Sequence, residues 1–527
     1  MRSLQRAALI LVLAASTALY TYALEQSPVY MTGDEVHFAN GGLALAKNGR
    51  SLNGELFPLF VNLHDPLGDP VKMPWGDTWF HPILFYLIAL SLKVQPFSEA
   101  AVRLPPALIG GLLTPLLVYL AARRMRFEFP GALVAAILTS LTPVSFILSR
   151  EAVDYSLLVP FAIAWVWCLA DYLETRRVRS AVLGGVILGV GCYSYIAAWA
   201  LLPCLLGISW LAYWRSGAGW PRAVLGSAAG FAPAFIVVLV WLSANPTALP
   251  ETIERYRVLD SHRPLADQQQ MGNLATLLPL YARYFEWTFL FRTGGASLLT
   301  STGLIGVFLK PIAVLAPIGL FALWRRKDRM LWPLLAALLI APLPAAASGH
   351  AEAIHRAQLM VPFGLLFAAA GWDALWRSRV VAWRAGALVL VAATVVAFRP
   401  FWDDYFTGYR NRSAFYYDMA NIEGVVKHIV GVQHLPAVLL TRSLNDGPAR
   451  WRFHLTTAGR SDLLARTLYV NDGPHAASTP VPVDSRLVMY VEGLVIKELT
   501  ASGAWEVEAI IKDVDDREAA AVLRKIR

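Results

Sequence analysis

The sequence predicts a polytopic α-helical membrane protein that carries interfacial helices in its first outer loop and a small C-terminal α/β domain. Three observations predict this: apolar runs of bilayer length, basic residues confined to alternate short loops, and a sharp change of composition near residue 400. Of 527 residues, 56% are hydrophobic and 16% charged, whereas a soluble domain carries about 25% charged residues. The mean hydropathy of +0.49 agrees. The apolar surplus lies in runs near the roughly 20 residues that cross a bilayer. The 18 Trp and 19 Tyr suit two membrane interfaces, where amphipathic rings settle. The net charge of +9 does not point to nucleic acid, because the basic residues cluster in loops between apolar runs. Cys168, Cys192 and Cys204 all lie in apolar runs and imply neither a disulfide framework nor a thiolate metal site.

The first apolar run, 7–24, follows Arg2 and Arg6. It is longer than the core of a signal peptide, and Tyr20 and Tyr22 make a poor cleavage region, so it reads as a retained span. A loop over 25–101 follows. Further spans read at 102–122, 130–148, 155–174, 179–195, 197–214, 222–243, 298–324, 330–348, 356–376 and 382–399, about eleven in all. The loops on one side are basic: Arg123-Arg124-Met125-Arg126, Arg176-Arg177-Val178-Arg179, 215–222, Arg325-Arg326-Lys327 and 377–384. Positive loops stay inside, which puts 25–101, 244–297 and 400–527 outside. The apolar stretch 81–94, about 14 residues, is too short to cross and would invert every later loop if it did. It reads as a re-entrant or interfacial helix. Short strand-like runs at 437–441, 467–470, 487–491 and 505–511 alternate with helical stretches. The expected division is a transmembrane domain over 1–399 and an extracytoplasmic domain over 400–527. There is no glycine-rich phosphate loop and no internal repeat.

Four charged clusters are candidates for chemistry. Thr32-Gly33-Asp34-Glu35 opens an amphipathic stretch, 36–47, that predicts a helix with Thr32 as N-cap and Gly49 as C-cap. Two acids in a first turn complement the helix dipole. Beside a membrane they are also placed to activate a hydroxyl or hold a divalent cation. Ser149-Arg150-Glu151-Ala152-Val153-Asp154-Tyr155 puts three charges in a minimal outer loop; such groups mark the water interface or a site, with Asp154 the best candidate. Arg103, followed by Leu104-Pro105-Pro106, is placed either to clamp a phosphate or to snorkel to headgroups. His355 and Arg356, in His350 to Arg356, enter an apolar helix and are placed to meet a phosphate or to cap it. His81-Pro82, preceded by Asp77, Trp79 and Phe80, is a weaker fifth feature.

The ordered set Gly33-Asp34-Glu35, His81-Pro82, Arg103-Leu104-Pro105 and Arg150 to Asp154 resembles the GT-C glycosyltransferases, in particular the protein O-mannosyltransferase and lipid A aminoarabinose transferase group. The likeness covers about residues 7–215, and more loosely extends to about 420 through His355-Arg356. It implies a polyprenyl-phosphate sugar donor, an inverting transfer to a lipid, glycan or protein acceptor, and a bundle of spans in a bacterial inner membrane, with 400–527 periplasmic. It implies catalytic acids at Asp34, Glu35 and Asp154, and donor-phosphate contacts at Arg103, His355 and Arg356. Other candidates are His81, Arg150 and Glu151. Asp34 and Asp154 are the candidate ligands of a divalent cation, Mg or Mn. A flippase or solute transporter would share the many spans; such proteins often show repeated halves and broken helices near the midplane, but no repeat is visible here and the charges lie at span ends. A non-catalytic assembly partner would be indifferent to loss of Asp34 and Asp154.

Overall fold

A computed structural model describes residues 2–63, 79–217, 219–252, 274–471, 476 and 478–527. Five helices among them are long and apolar enough to cross a membrane: Ser3–Thr21, Glu99–Arg124, Asp154–Thr175, Trp220–Ala244 and Val381–Phe406. A sixth is the pair Phe129–Ser140 and Pro143–Ser149, bent by 60°. The bend has a local cause. Pro143 has no N–H, and the hydroxyls of Thr139, Ser140 and Thr142 each donate to the carbonyl four residues back, at 2.7–2.9 Å.

At the other expected span positions lie the apolar helices Val178–Gly191, Ala198–Arg215, Pro311–Arg325, Leu331–Ile340 with Leu343–Ala347, and Met360–Trp376. The expected span 298–324 is helical only from Pro311, because the run before it is rich in Ser, Thr and Gly, which favour turns over helix. The stretch 81–94 forms an 11-residue helix, Pro82–Leu92. At 1.5 Å per residue it reaches only about half of the ~30 Å hydrocarbon core.

The chain forms two compact units. The first comprises Met1–Tyr22, Trp79–Leu84 and Leu104–Asp404. Its helices approach through small residues, as apolar helices in lipid do. A methyl on Gly319 would lie 1.8 Å from Phe367 O, and one on Gly371 would lie 2.0 Å from Leu315 O, so Pro311–Arg325 and Met360–Trp376 touch backbone to backbone.

The second unit comprises Ala23–Thr78, Phe85–Arg103 and Tyr405–Arg527. The helix Gly33–Asn48 forms as its sequence predicts. Thr32 and Glu35 make a reciprocal capping box, and Gly49 closes the helix in the left-handed conformation at φ 73°. Gly41 and Gly42 let it lie against Phe85 and Ile88.

The C-terminal segment builds a five-stranded sheet: β1 (Val438–Thr441), β2 (Thr467–Val470), β3 (Arg486–Tyr490), β4 (Trp505–Lys512) and β5 (Glu518–Lys525), in the order β2-β1-β3-β5-β4. β1 is parallel to β2 and β3, and β5 is antiparallel to β3 and β4. Alternate residues serve two cores. Val438, Leu440, Val488 and Val522 pack with Ile422, Val425, Ile429 and Trp451. Leu439, Leu487, Met489 and Leu523 pack with Leu499 and Trp505. The sequence reading did not include β5: its Glu-Ala-Ala-Ala start has little strand propensity, and pairing on both sides decides its state.

Candidate functional site

The segment that leads from the first span to the helix Gly33–Asn48 is held by its own carbonyls. Arg103 donates to Leu24 O at 2.9 Å, Pro28 O at 3.1 Å and Tyr30 O at 2.7 Å. Its Nε donates to Glu35 Oε1 at 2.8 Å, a second bond reaches Oε2 at 3.3 Å, and Glu99 lies at 3.4 Å. Arg450 donates to Met31 O at 2.5 Å and Arg410 to Gln26 O at 2.7 Å. Tyr30 OH donates to Asp513 Oδ1 at 2.8 Å; burial, then that carboxylate, push the phenol well above its ordinary range.

These contacts separate the two adjacent acids. The Glu35 side chain is 0% exposed, accepts from Arg103 and from the Thr32 N–H at 2.9 Å, and so completes the cap. Asp34, beside it, is only half-buried. Glu35 therefore serves the fold, whereas Asp34 is the less buried of the two acids. The structure shows Arg103, which the sequence places either to clamp a phosphate or to snorkel, with its guanidinium occupied by the protein itself. A guanidinium has five N–H groups, and the carbonyls and carboxylates of this unit engage all of them.

Two residues here escaped the sequence reading. His37 lies one helical turn beyond Asp34, and its Nε2 is 3.3 Å from Asp446 Oδ1. Helical spacing from Asp34 would have flagged His37. Nothing local would have flagged Asp446, which is 409 residues away.

The other candidates lie in the first unit. Arg150 is fully buried, donates to Tyr20 O at 2.9 Å and Tyr22 O at 2.7 Å, and stands 5.0 Å from the Phe146 ring centroid. Glu151 and Asp154 are buried, and Asp154 opens the one-turn helix Asp154–Leu157. The next residue, Tyr155, packs on His355 with ring centroids 4.9 Å apart, so the Arg150–Asp154 turn and the His355-Arg356 turn adjoin. Arg356 donates to Ser348 Oγ at 2.9 Å and meets His350 Nδ1 at 3.0 Å.

Burial, with help from Arg356 and His350, lowers the His355 imidazole to about 3, so it is neutral near pH 7. The expected cation at this position is therefore Arg356 alone; His355 offers a hydrogen bond, and its Nδ1 meets no partner among the described residues. His81 is buried against Trp199, 5.1 Å between rings, and burial lowers it to about 3 as well. Asp77, read with it, lies outside the described residues. Among the described residues no three His, Cys, Asp or Glu side chains are grouped as metal ligands would be.

Residues 80–243 match the family model for dolichyl-phosphate-mannose-protein mannosyltransferase. No curated protein sequence matches the chain. Among solved structures, the chain is similar to ArnT from Cupriavidus metallidurans bound to undecaprenyl phosphate, with a TM-score of 0.59 and 13% identity over 98% of this chain and 97% of that one. The apo state of the same protein gives 0.58 and 14% over the same shares. An Archaeoglobus fulgidus oligosaccharyltransferase in complex with Zn and sulfate gives 0.51 and 14%, over 88% of this chain and 62% of that one. At these identities the structural likeness is one of fold, and it extends over almost the whole chain.

Proposed function

With the GT-C glycosyltransferase fold and family resemblance as the premise, we propose that this chain transfers a sugar from a polyprenyl-phosphate donor to an acceptor hydroxyl on the outer face of a bacterial inner membrane. The observation that carries the reading is the state of Asp34: a half-buried carboxylate in the first turn of a capped helix, next to a Glu35 that is consumed by the fold. The acceptor oxygen forms a bond to the anomeric carbon while the bond from that carbon to the phosphate oxygen breaks. The electron pair leaves with the phosphate, the configuration inverts, and the acceptor proton passes to Asp34. Arg356 compensates the charge that grows on the leaving phosphate, and the neutral His355 donates a hydrogen bond to it. Asp154 orients the sugar hydroxyls. Position and charge compensation supply most of the rate, since the donor already carries a good leaving group.

Counting Val178–Gly191, Ala198–Arg215, Pro311–Arg325, Leu331–Ala347 and Met360–Trp376 as spans beside the long helices and the bent pair brings the membrane domain to about eleven. The basic loops then lie inside, and the sheet-bearing segment after residue 400 lies in the periplasm.

Purified protein in lipid nanodiscs, given radiolabelled undecaprenyl-phosphate mannose or aminoarabinose with a membrane lipid extract, tests the proposal. Labelled product from the wild type and none from Asp34→Asn supports it. Full turnover by Asp34→Asn removes it.

A further inference from the structure

At the N-terminal end of the helix Gly447–Thr457, Asp446 stands where an Asp ordinarily accepts a backbone N–H of the first turn. It makes no such cap. Its backbone is left-handed, at φ 50° and ψ 23°, and its carboxylate is turned to His37 at 3.3 Å. The other carboxylate oxygen fills the space over Gly33, where a methyl would lie 1.8 Å from it. Yet the pair is not sealed, since the His37 and Asp446 side chains keep 24% and 28% of their exposure.

The pair lies beside the C-terminal edge of the sheet. β1 has β2 on one side and β3 on the other, and the loop that carries Asp446 leaves from its C-terminal end. Open α/β sheets bind ligands at such a switch point. The side chains at that edge are polar: Arg442 donates to Asn471 Oδ1 at 3.0 Å, Thr441 and Ser443 hydroxyls lie 3.3 Å apart, and the Asn445 N–H donates to Tyr490 OH at 3.2 Å. One turn beyond His37, the buried Asn40 donates to Ala449 O at 2.8 Å in the same seam. Its Oδ1 meets no donor among the described residues.

We propose that His37 and Asp446 are the acceptor-binding pair of the Asp34 site, so that the C-terminal sheet presents a polyhydroxylated acceptor to the helix that carries the catalytic acid. Asp446 accepts from one acceptor hydroxyl, His37 bonds to the next, and the spacing of Asp34 and His37 by one turn on the same helix face sets the reacting hydroxyl beside Asp34. The inference rests on the glycosyltransferase reading above and adds the side from which the acceptor comes.

The test uses full-length protein in nanodiscs, radiolabelled undecaprenyl-phosphate mannose as donor and octyl β-D-glucoside as a hydroxyl-bearing acceptor, with Asp446→Asn, Asp446→Ala and His37→Gln. A lost hydrogen bond to a charged group predicts an acceptor KM raised by about 10- to 100-fold in Asp446→Ala. A smaller rise is expected in Asp446→Asn and His37→Gln, which keep a hydrogen-bonding group, and the donor KM should change by less than about threefold. A merely structural pair would lower kcat and the unfolding temperature together and leave the acceptor KM alone, and that result overturns the inference while leaving the glycosyltransferase reading intact. Absence of any turnover by the wild type, with undecaprenyl-phosphate mannose here and with the aminoarabinose donor of the test above, overturns both.

Discussion

Arg103 and Glu35 are 68 residues apart in sequence, wholly buried, and joined by hydrogen bonds of 2.8 and 3.3 Å. This pair ties the Asp34 helix to the helix Glu99–Leu108, and the three carbonyls bonded by Arg103 add the segment that precedes the Asp34 helix. Removing one partner strands a buried charge, which costs about 3–5 kcal/mol. Arg103→Ala should therefore unfold the protein in detergent at a markedly lower temperature, and Arg103→Lys should rescue it only in part, because an ammonium has three donors for this set of acceptors. Replacing both partners with apolar residues, Arg103→Met with Glu35→Leu, should recover stability relative to Arg103→Ala. Thermal unfolding of the three variants checks this.

Asp34 and Glu35 are neighbours with different work, and their variants should separate accordingly. Asp34→Asn is expected to keep the unfolding temperature of the wild type and lose about 10²- to 10⁴-fold in kcat, the range of a general base. Glu35→Gln should lower the unfolding temperature, because it removes the charge opposite Arg103. Paired activity and melting measurements separate the two outcomes.

Arg356 is the cation proposed for the leaving phosphate. Arg356→Ala should raise the donor KM and lower kcat, with kcat/KM falling by about 10²-fold or more, the worth of one preorganised donor in a charge-stabilising site. Arg356→Lys should retain part of the activity. His355→Gln should be milder than either, since the neutral imidazole supplies a hydrogen bond and no charge. Steady-state kinetics with the labelled donor discriminate these outcomes.

His454 gives a pH-dependent stability whose sign is fixed. Burial, then Arg450 and Lys427, lower its imidazole to about 3, below the value of about 6.5 it regains on unfolding. Between these values the unfolded chain binds a proton that the folded chain refuses. The contribution is thus complete above pH 6.5 and is lost as pH falls, by up to about 1.4 kcal/mol per pH unit. His81 and His355 act in the same direction. Unfolding temperatures measured from pH 7 to pH 4 should fall steadily, and His454→Gln should flatten the slope by about one third if the three histidines contribute alike.

Gly319 and Gly371 permit backbone contact between two apolar helices. Gly319→Val or Gly371→Val puts atoms where the opposite carbonyl stands, and overpacking of this kind costs about 1–3 kcal/mol or more. Lower yields of folded protein and a lower unfolding temperature are expected for both. Gly386, which meets nothing within 4 Å, should accept Ala without loss.

The sequence by itself determined whatever depends on near neighbours. Apolar runs fixed the helices in bilayer-length segments, and Thr32, Glu35 and Gly49 fixed the start and stop of the Asp34 helix through cap geometry that spans only a few residues. Four of the five strands were legible for the same reason. Only the tertiary structure decided which charges are consumed by contacts within the fold. In the sequence Arg103 stands open between a phosphate clamp and a snorkel because its acceptors are carbonyls from a segment about 70 residues earlier, and backbone carbonyls leave no mark in a sequence. β5 became a strand by pairing, against its composition. His37 and Asp446 were brought together across 409 residues. A side chain's role is set by what occupies its donors and acceptors once the chain has closed, and that occupancy is a property of the fold.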